Sequence, residues 1–99
     1  MKEISPQELD SKRKNGETIS IIDVREKEEV ETGMIPNAKH IPLGEIPERL
    51  KEIDKNQTHY MVCRSGNRSG KASSYMEQHG YDTVNMSGGM LEWDSDISK

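Results

Sequence analysis

The chain has 99 residues, a formal net charge of −4 and only 30% hydrophobic residues. This length suits one compact domain and is too short for two, so we expect residues 1–99 to form a single domain. Acidic and basic residues are mixed along the chain, which excludes the basic stripe of a general nucleic-acid binder.

The first half of the chain alternates helical and strand patterns. Ser5 and Glu8 match a capping box, with proline at the first helical position, and predict a helix over residues 5–14. Residues 18–24 are β-branched and apolar on both faces, which is typical of a buried parallel strand. A short helix is predicted over 26–32, and a proline-punctuated loop over 34–42.

The second half continues the alternation. Apolar residues with helical spacing predict an amphipathic helix over 46–53, and residues 59–62 predict a short strand. A helix over 69–79, a strand over 83–86 and a helical turn over 90–93 follow. Strands that alternate with helices predict an α/β fold, in which a small, mostly parallel central sheet is flanked by helices.

The only cysteine opens a cationic loop with the sequence Cys63-Arg64-Ser65-Gly66-Asn67-Arg68-Ser69. The loop lies between a predicted strand and a predicted helix, at the sheet edge where α/β sites lie. Amides at a helix N-terminus lack intrahelical partners and point toward an anion, and Gly66 allows the backbone to curl them inward. This pattern indicates a reactive thiolate, because structural thiols seldom have two arginines so close.

A helix terminus alone is a weak source of acidity for a thiol. Lowering the pKa of a cysteine by two units requires about 2.7 kcal/mol, whereas a helix end supplies roughly 0.3–1 kcal/mol. The converging loop amides and the positive charges of Arg64 and Arg68 are therefore expected to contribute the rest. The alternative interpretation is a buried, inert cysteine.

Cys63 has no partner thiol within the chain. A single cysteine excludes an internal disulfide and a cysteine-rich metal site, and it favours a reducing compartment. His40, His59 and His79 lack the spacing of metal ligands, so we expect neither a metal nor a cofactor. His40 is the best placed of the three to activate the thiol, although a solvated histidine is the simpler interpretation.

The composition also predicts where the protein works. No apolar run approaches the length of a membrane span, so we expect no membrane association. The first residues lack the apolar stretch of a secretory signal. These features predict a cytoplasmic protein.

Five short segments share an order and spacing that are more specific than any one of them. They are Ile-Asp-Val-Arg-Glu at 22–26, Glu29 with Gly-Met-Ile-Pro-Asn-Ala at 33–38, Ile-Pro at 41–42, the loop at 63–68, and Gly88-Gly89 with Trp93. Together they resemble the rhodanese-like sulfurtransferase family in its single-domain form. Members of this family often have histidine where this chain has Met34, a position that concerns loop packing rather than chemistry.

The resemblance implies a function for the cysteine loop. Cys63 would carry sulfur as a persulfide, surrounded by the amides of Arg64, Ser65, Gly66, Asn67 and Arg68. Arg64 looks like the cationic residue that thiosulfate-using members place after the cysteine, where mercaptopyruvate-using members have a small residue. The implied partners are a small anionic sulfur donor and an acceptor, either cyanide or a small or protein thiol.

The supporting residues have more than one interpretation. Asp23 ends a buried strand, where it either accepts loop amides or pairs with an arginine, and this support is favoured over general-base catalysis. Arg25 and Glu29 have the spacing of an ion pair on one helical face. Arg68 either binds substrate or ties the loop to Asp23. We expect Asp23, Arg25 and Ser69 to support the loop.

Two other functions use a reactive cysteine. Tyrosine-phosphatase-type and arsenate-reductase loops require arginine after five intervening residues, but Ser69 holds that place and Arg68 comes one position earlier. A persulfide carrier that relays sulfur between proteins, or a redox sensor, also needs an ionised, accessible thiol. Faster loading from a partner protein than from thiosulfate would distinguish a carrier from an enzyme.

Overall fold

Five strands form one sheet in the computed structural model of the chain, which describes residues 1–99. Their order across the sheet is β1-β5-β4-β2-β3, and every neighbouring pair is parallel. The strands are β1 (Lys2–Ile4), β2 (Ser20–Asp23), β3 (Lys39–His40), β4 (Thr58–Val62) and β5 (Asp82–Met86). This topology confirms the predicted α/β class with its mostly parallel sheet.

Four α-helices connect the strands. They are α1 (Pro6–Lys14), α2 (Lys27–Val30), α3 (Ile46–Arg49) and α4 (Asn67–Gln78). Short 3-10 turns flank α3 at Leu43–Glu45 and Leu50–Glu52, and a third covers Gly89–Glu92. The predicted capping box of α1 is present, because the Ser5 hydroxyl accepts from the Glu8 amide while the Glu8 carboxylate accepts from the Ser5 amide. None of the helices has the length and apolar character that a membrane span requires.

Two strands were not predicted. β1 has three residues, and β3 has two and lies inside the predicted loop over 34–42. Both are edge strands, and neither is long enough to show a period of two residues. Three helices also differ in extent: α2 covers only Lys27–Val30 of the predicted 26–32, α4 begins at Asn67 rather than at residue 69, and the helix predicted over 46–53 becomes 3-10 after Arg49.

The core lies on both faces of the sheet, as the doubly apolar β2 predicts. One cluster contains Ile22, Met61 and Cys63 and packs against α3 and α4 through residues such as Ile46 and Met76. A second cluster on the opposite face contains Ile4, Leu9, Ile21, Ile35, Val62 and Met86. Adjacent residues of one strand therefore enter different clusters, which is the alternation that a sheet covered on both faces requires.

Cys63 follows the central strand of the sheet. β4 lies between β2 and β5, and its register places Val62 beside Asp23 and Met61 beside Asn85. The carboxyl ends of three strands therefore meet at the start of the cysteine loop. This is the edge at which sites form in parallel α/β sheets.

Candidate active site

The sulfur of Cys63 lies at the bottom of its loop, in contact with hydrogen-bond donors. The residue has no exposed surface, yet the backbone N–H of Gly66 donates to Sγ at 3.0 Å. The Ser69 hydroxyl lies 3.3 Å from the same sulfur. A buried cysteine of the inert kind packs only against apolar groups, whereas this sulfur has donors on its loop side.

Gly66 makes this geometry possible. Its φ is +98°, in the left-handed region, and it caps the N-terminus of α4. The turn directs its N–H toward the sulfur, while its carbonyl accepts the N–H of Gly70 in the first turn of the helix. A residue with a Cβ would be strained at this φ, so the chain uses glycine here.

Hydrogen bonds make the Cys63 thiol more acidic than an ordinary one. Burial raises the pKa of the thiol, because the charged form loses water. The Ser69 hydroxyl and the backbone N–H groups of Ser69, Gly66 and Ser65 act in the opposite direction and leave the pKa below its usual value. Of the five loop amides expected around the sulfur, those of Ser65 and Gly66 contribute to this lowering, and the Ser69 amide and hydroxyl add to it.

Arg68 ties the loop to α2 rather than to Asp23. Its guanidinium donates to both carboxylate oxygens of Glu29, at 2.6 and 2.8 Å. Of the two roles that the sequence left open for Arg68, the tie to Asp23 is therefore wrong. The expected Arg25–Glu29 ion pair is wrong as well. Arg25 donates only to the backbone carbonyl of Glu29, at 3.5 Å, whereas the Glu29 carboxylate accepts from Arg68.

Removing the Glu29 charge should weaken the fold in a pH-dependent way. The Arg68 hydrogen bonds lower the pKa of Glu29 from 4.5 to about 2. A carboxylate with a lowered pKa stabilises the folded state above its unfolded pKa, and this contribution is lost as the pH falls through the folded pKa. Glu29→Gln should therefore cost about 1 kcal/mol at neutral pH, since the pair is only partly buried, and almost nothing near pH 2.

Urea unfolding of wild type and Glu29→Gln across this pH range measures the difference. The neighbouring Glu28 is exposed and forms no ion pair, so Glu28→Gln is a matched control. A Glu29→Gln effect that is the same at neutral and acidic pH would contradict the assignment of the lowered pKa to this pair.

Asp23 and Arg25 form a buried ion pair at the end of β2. They are 1% and 5% exposed. The backbone N–H and the guanidinium of Arg25 both donate to the Asp23 carboxylate, at 2.9 to 3.1 Å. Arg25 also donates to the Gly33 carbonyl at 2.8 Å. Asp23 thus pairs with an arginine and not with the cysteine-loop amides, and Arg25 in turn contacts the carbonyl of Glu29 in α2.

Arg64 differs from Arg25 and Arg68, because its side chain is exposed and lies in no ion pair. It lines a shallow concavity of about 370 Å³ next to the loop, together with Arg25, Glu28, Glu29, Thr32, Met90 and Leu91. Leu91 is 61% exposed in this wall. The concavity therefore contains the uncommitted guanidinium of Arg64, the unpaired carboxylate of Glu28 and the exposed side chain of Leu91.

The Gly88-Gly89 turn presses against the other side of the loop. The N–H of Met90 donates to the Cys63 carbonyl at 2.9 Å, and the N–H of Leu91 donates to the Arg64 carbonyl at 3.0 Å. Gly89 has a φ of +60° and lies so close that a Cβ there would come 2.4 Å from the Arg64 carbonyl oxygen. The sequence pattern of two glycines thus reflects a close backbone approach.

Sequence analysis missed the contributions of Asn85 and of the Glu29 carboxylate. Asn85, on β5, is 3% exposed and bonds both the Gly66 carbonyl and the Ser69 hydroxyl. A polar residue near the end of a short buried strand was an available signal for Asn85. The Glu29–Arg68 contact spans 39 residues and had no local signal.

The histidines make their hydrogen bonds away from the sulfur. His40 Nε2 donates to the Arg25 carbonyl at 2.7 Å, and His79 Nδ1 donates to the Tyr75 carbonyl. The buried His59 lies between Ser20 and the Asp54 carbonyl. No group of three or more His, Cys, Asp or Glu side chains is arranged to hold a metal ion.

Met34, the departure from the family pattern, lies in a short pairing with the C-terminal segment. Its N–H donates to the Ser98 carbonyl at 2.9 Å, and the Ser98 N–H donates back at 2.8 Å. The position is therefore part of loop packing, as expected, and these bonds do not involve Cys63.

Comparison with known proteins identifies relatives of this arrangement. The family described as Rhodanese-like domain matches residues 5–96. The Bacillus subtilis protein named "Putative sulfurtransferase YtwF" is 45% identical over 96 residues, which cover 97% of this chain and 93% of that protein. The thiosulfate sulfurtransferase PspE of Escherichia coli is 37% identical over 73 residues, covering 72% of this chain and 70% of that protein.

A solved structure has the same fold. The crystal structure of a rhodanese-like domain protein from Staphylococcus aureus superposes with a TM-score of 0.95 and is 43% identical. The alignment covers 99% of this chain and 97% of that chain. The fold of this chain is thus an established one.

Proposed function

Because this chain belongs to the rhodanese-like domain family, and its relatives support a sulfurtransferase role, we propose that Cys63 takes its sulfur from thiosulfate. The thiolate attacks the outer sulfur of thiosulfate, a new S–S bond forms, and sulfite leaves with the electron pair of the broken bond. The persulfide then gives its outer sulfur to a nucleophile such as cyanide or a thiol. This second attack returns Cys63 to the thiolate.

One observation carries the proposal: the sulfur of Cys63 accepts hydrogen bonds from a loop that bends around it. The N–H of Gly66 is 3.0 Å away, and Ser69 supplies a second donor. These donors stabilise an anion at the sulfur, which is the form that attacks. The same amides are suited to hold the charge of a terminal persulfide sulfur, with Asn67 and Arg68 at the start of α4 completing the loop.

The ion pair between Arg68 and Glu29 supports sulfur transfer over phosphoryl transfer. A phosphatase-type loop uses its arginine to bind the three oxygens of a phosphate, but the Arg68 guanidinium is held by both oxygens of Glu29. Arg64 is exposed within the cysteine loop and is suited to attract a small dianion toward it.

Removing the Arg64 charge should weaken binding of thiosulfate more than it slows the chemistry. We expect Arg64→Ala to raise KM for thiosulfate by about tenfold, equivalent to about 1.4 kcal/mol, with a smaller change in kcat. Steady-state thiocyanate formation from thiosulfate and cyanide measures both constants. Lys71→Ala removes an exposed positive charge from α4 outside this concavity and is the matched control. Equal effects of the two substitutions would contradict a specific role for Arg64.

A sulfur-relay role is a second candidate, supported by one exposed apolar side chain beside the cysteine loop. Leu91 is 61% exposed next to Arg64, and a protein acceptor or donor could cover it. The chain has no second cysteine, so the acceptor must come from outside. A relay module should load faster from a persulfide-bearing protein than from thiosulfate at equal concentration.

Intact-mass measurement tests the proposed reaction directly. Protein mixed with thiosulfate and freed of excess reagent should gain the mass of one sulfur atom and lose it again on treatment with cyanide. Sulfite, which lacks the outer sulfur, should add nothing, and protein alkylated beforehand at Cys63 should stay unchanged. An unmodified mass after thiosulfate treatment would refute the choice of donor.

A further inference from the structure

The side chain of Asn85 is held in one orientation by the cysteine loop. Its Nδ2 lies 3.0 Å from the Gly66 carbonyl oxygen, which can only accept a hydrogen bond. The amide nitrogen must therefore face Gly66, and the flipped orientation would place two acceptors together. As a result, Oδ1 faces Ser69 and requires a donor there.

The hydroxyl of Ser69 has two acceptors and one proton. Its Oγ is 2.5 Å from Asn85 Oδ1 and 3.3 Å from Cys63 Sγ. All three residues are at most 3% exposed, so a lost hydrogen bond is costly at any of them. A hydroxyl donates only one hydrogen bond at a time. The contact to Asn85 is the shorter of the two.

We propose that Asn85 is a positioning residue that competes with the Cys63 thiolate for the hydroxyl proton of Ser69 and so limits the stabilisation of the thiolate. In the thiol state each of these groups has a hydrogen-bond partner, because the S–H donates to Ser69 Oγ while the hydroxyl donates to Asn85 Oδ1. When the thiol proton leaves to solvent, the hydroxyl turns to the sulfur and Asn85 Oδ1 loses its donor. Ionisation of the thiol thus leaves Asn85 Oδ1, on β5, without its hydrogen bond.

This competition has a chemical use. The intrinsic nucleophilicity of a thiolate falls as the pKa of its thiol falls, so a thiolate stabilised too strongly attacks slowly. Because the hydroxyl must leave Asn85 Oδ1 to reach the sulfur, Asn85 reduces the net stabilisation of the thiolate and so preserves its reactivity. This use in sulfur transfer rests on the proposed function, whereas the competition itself concerns only the acidity of the thiol.

A double-mutant cycle on Ser69 and Asn85 isolates the competition. Asn85→Leu, which is close to isosteric, loses the Gly66 contact in every background, so that effect cancels within the cycle. The four proteins are wild type, Ser69→Ala, Asn85→Leu and the double variant. Since Cys63 is the only cysteine, the pH dependence of iodoacetamide alkylation reports its ionisation alone.

Other charged groups around the loop are common to all four proteins. They are Arg68 with Glu29, Asp23 with Arg25, Arg64 in the loop itself, Lys71 on α4, His40 on β3 and Glu92 in the last 3-10 turn. Their contribution to the acidity of Cys63 does not enter the coupling unless a substitution moves them. Far-UV circular dichroism and thermal unfolding check that each protein is folded.

The sign of the coupling decides the proposal. If Asn85 competes for the proton, Asn85→Leu should increase the acid dissociation constant of Cys63 about threefold more when Ser69 is present than in the Ser69→Ala background, which has no hydroxyl. Additive effects would mean that Asn85 acts only through Gly66, and a coupling of opposite sign would mean that Asn85 aims the hydroxyl at the sulfur. Either result overturns the proposal, and neither depends on sulfur transfer. If Asn85→Leu does not fold, Asn85→Ala takes its place in the same cycle.

Discussion

Replacing Gly89 with alanine is expected to destabilise the fold by about 3 kcal/mol or more and to slow sulfur loading strongly. The new Cβ would lie 2.4 Å from the Arg64 carbonyl oxygen and 2.6 Å from that of Cys63. Both obstacles are backbone atoms of the cysteine loop, so no side chain can move aside. The turn must lift away, and the hydrogen bonds from Met90 and Leu91 to these two carbonyls are lost.

Gly16→Ala separates the clash from the backbone strain. Gly16 also has a positive φ, +79°, but nothing lies within 4 Å of its Cβ position. That variant should lose only about 1 kcal/mol and load sulfur at the wild-type rate. Urea unfolding and the rate of mass gain with thiosulfate measure the two properties. If Gly89→Ala were no less stable than Gly16→Ala, the claim that the turn lies too close to the loop for a Cβ would be wrong.

The features that could be predicted from the sequence depend on neighbouring residues. The helix cap at Ser5, the doubly apolar strand β2 and the Cys63–Ser69 loop each have a signature within a few residues. A thiol followed by Gly66 and a helix start is enough to predict converging amides, because the geometry of a helix N-terminus is general. The α/β class follows from the alternation of these local patterns.

The unpredicted features depend on contacts between distant residues. β1 exists because Lys2–Ile4 pairs with β5, which lies near the other end of the chain, as the contact between Lys2 and Asp82 shows. The sequence contains several acidic residues that Arg68 could pair with. Only the position of α2 beside the loop determines that the partner is Glu29. Spacing along the chain suggested Arg25 for Glu29, but the end of β2 turns the Arg25 side chain back onto Asp23.

Loss of the Asp23 charge is the second large effect that we expect. Asp23→Asn keeps the shape of the side chain but leaves the Arg25 guanidinium buried without a counter-charge. Breaking one partner of a buried pair costs about 3–5 kcal/mol, far more than the pair contributes relative to apolar residues. Urea unfolding at neutral pH measures this loss. The exposed pair between Arg49 and Glu52 is the control, and Glu52→Gln should cost less than about 1 kcal/mol.

A double substitution distinguishes an uncompensated charge from a general intolerance of the site. Asp23→Leu combined with Arg25→Met removes both charges at similar volume and should recover much of the stability lost in Asp23→Asn. Recovery should be incomplete, because Arg25 also holds the Gly33 carbonyl and reaches that of Glu29. Glu29 in turn holds Arg68, so the double variant should also load sulfur more slowly than its stability alone would explain. If the double variant were as unstable as Asp23→Asn, steric fit rather than charge would determine the role of this pair.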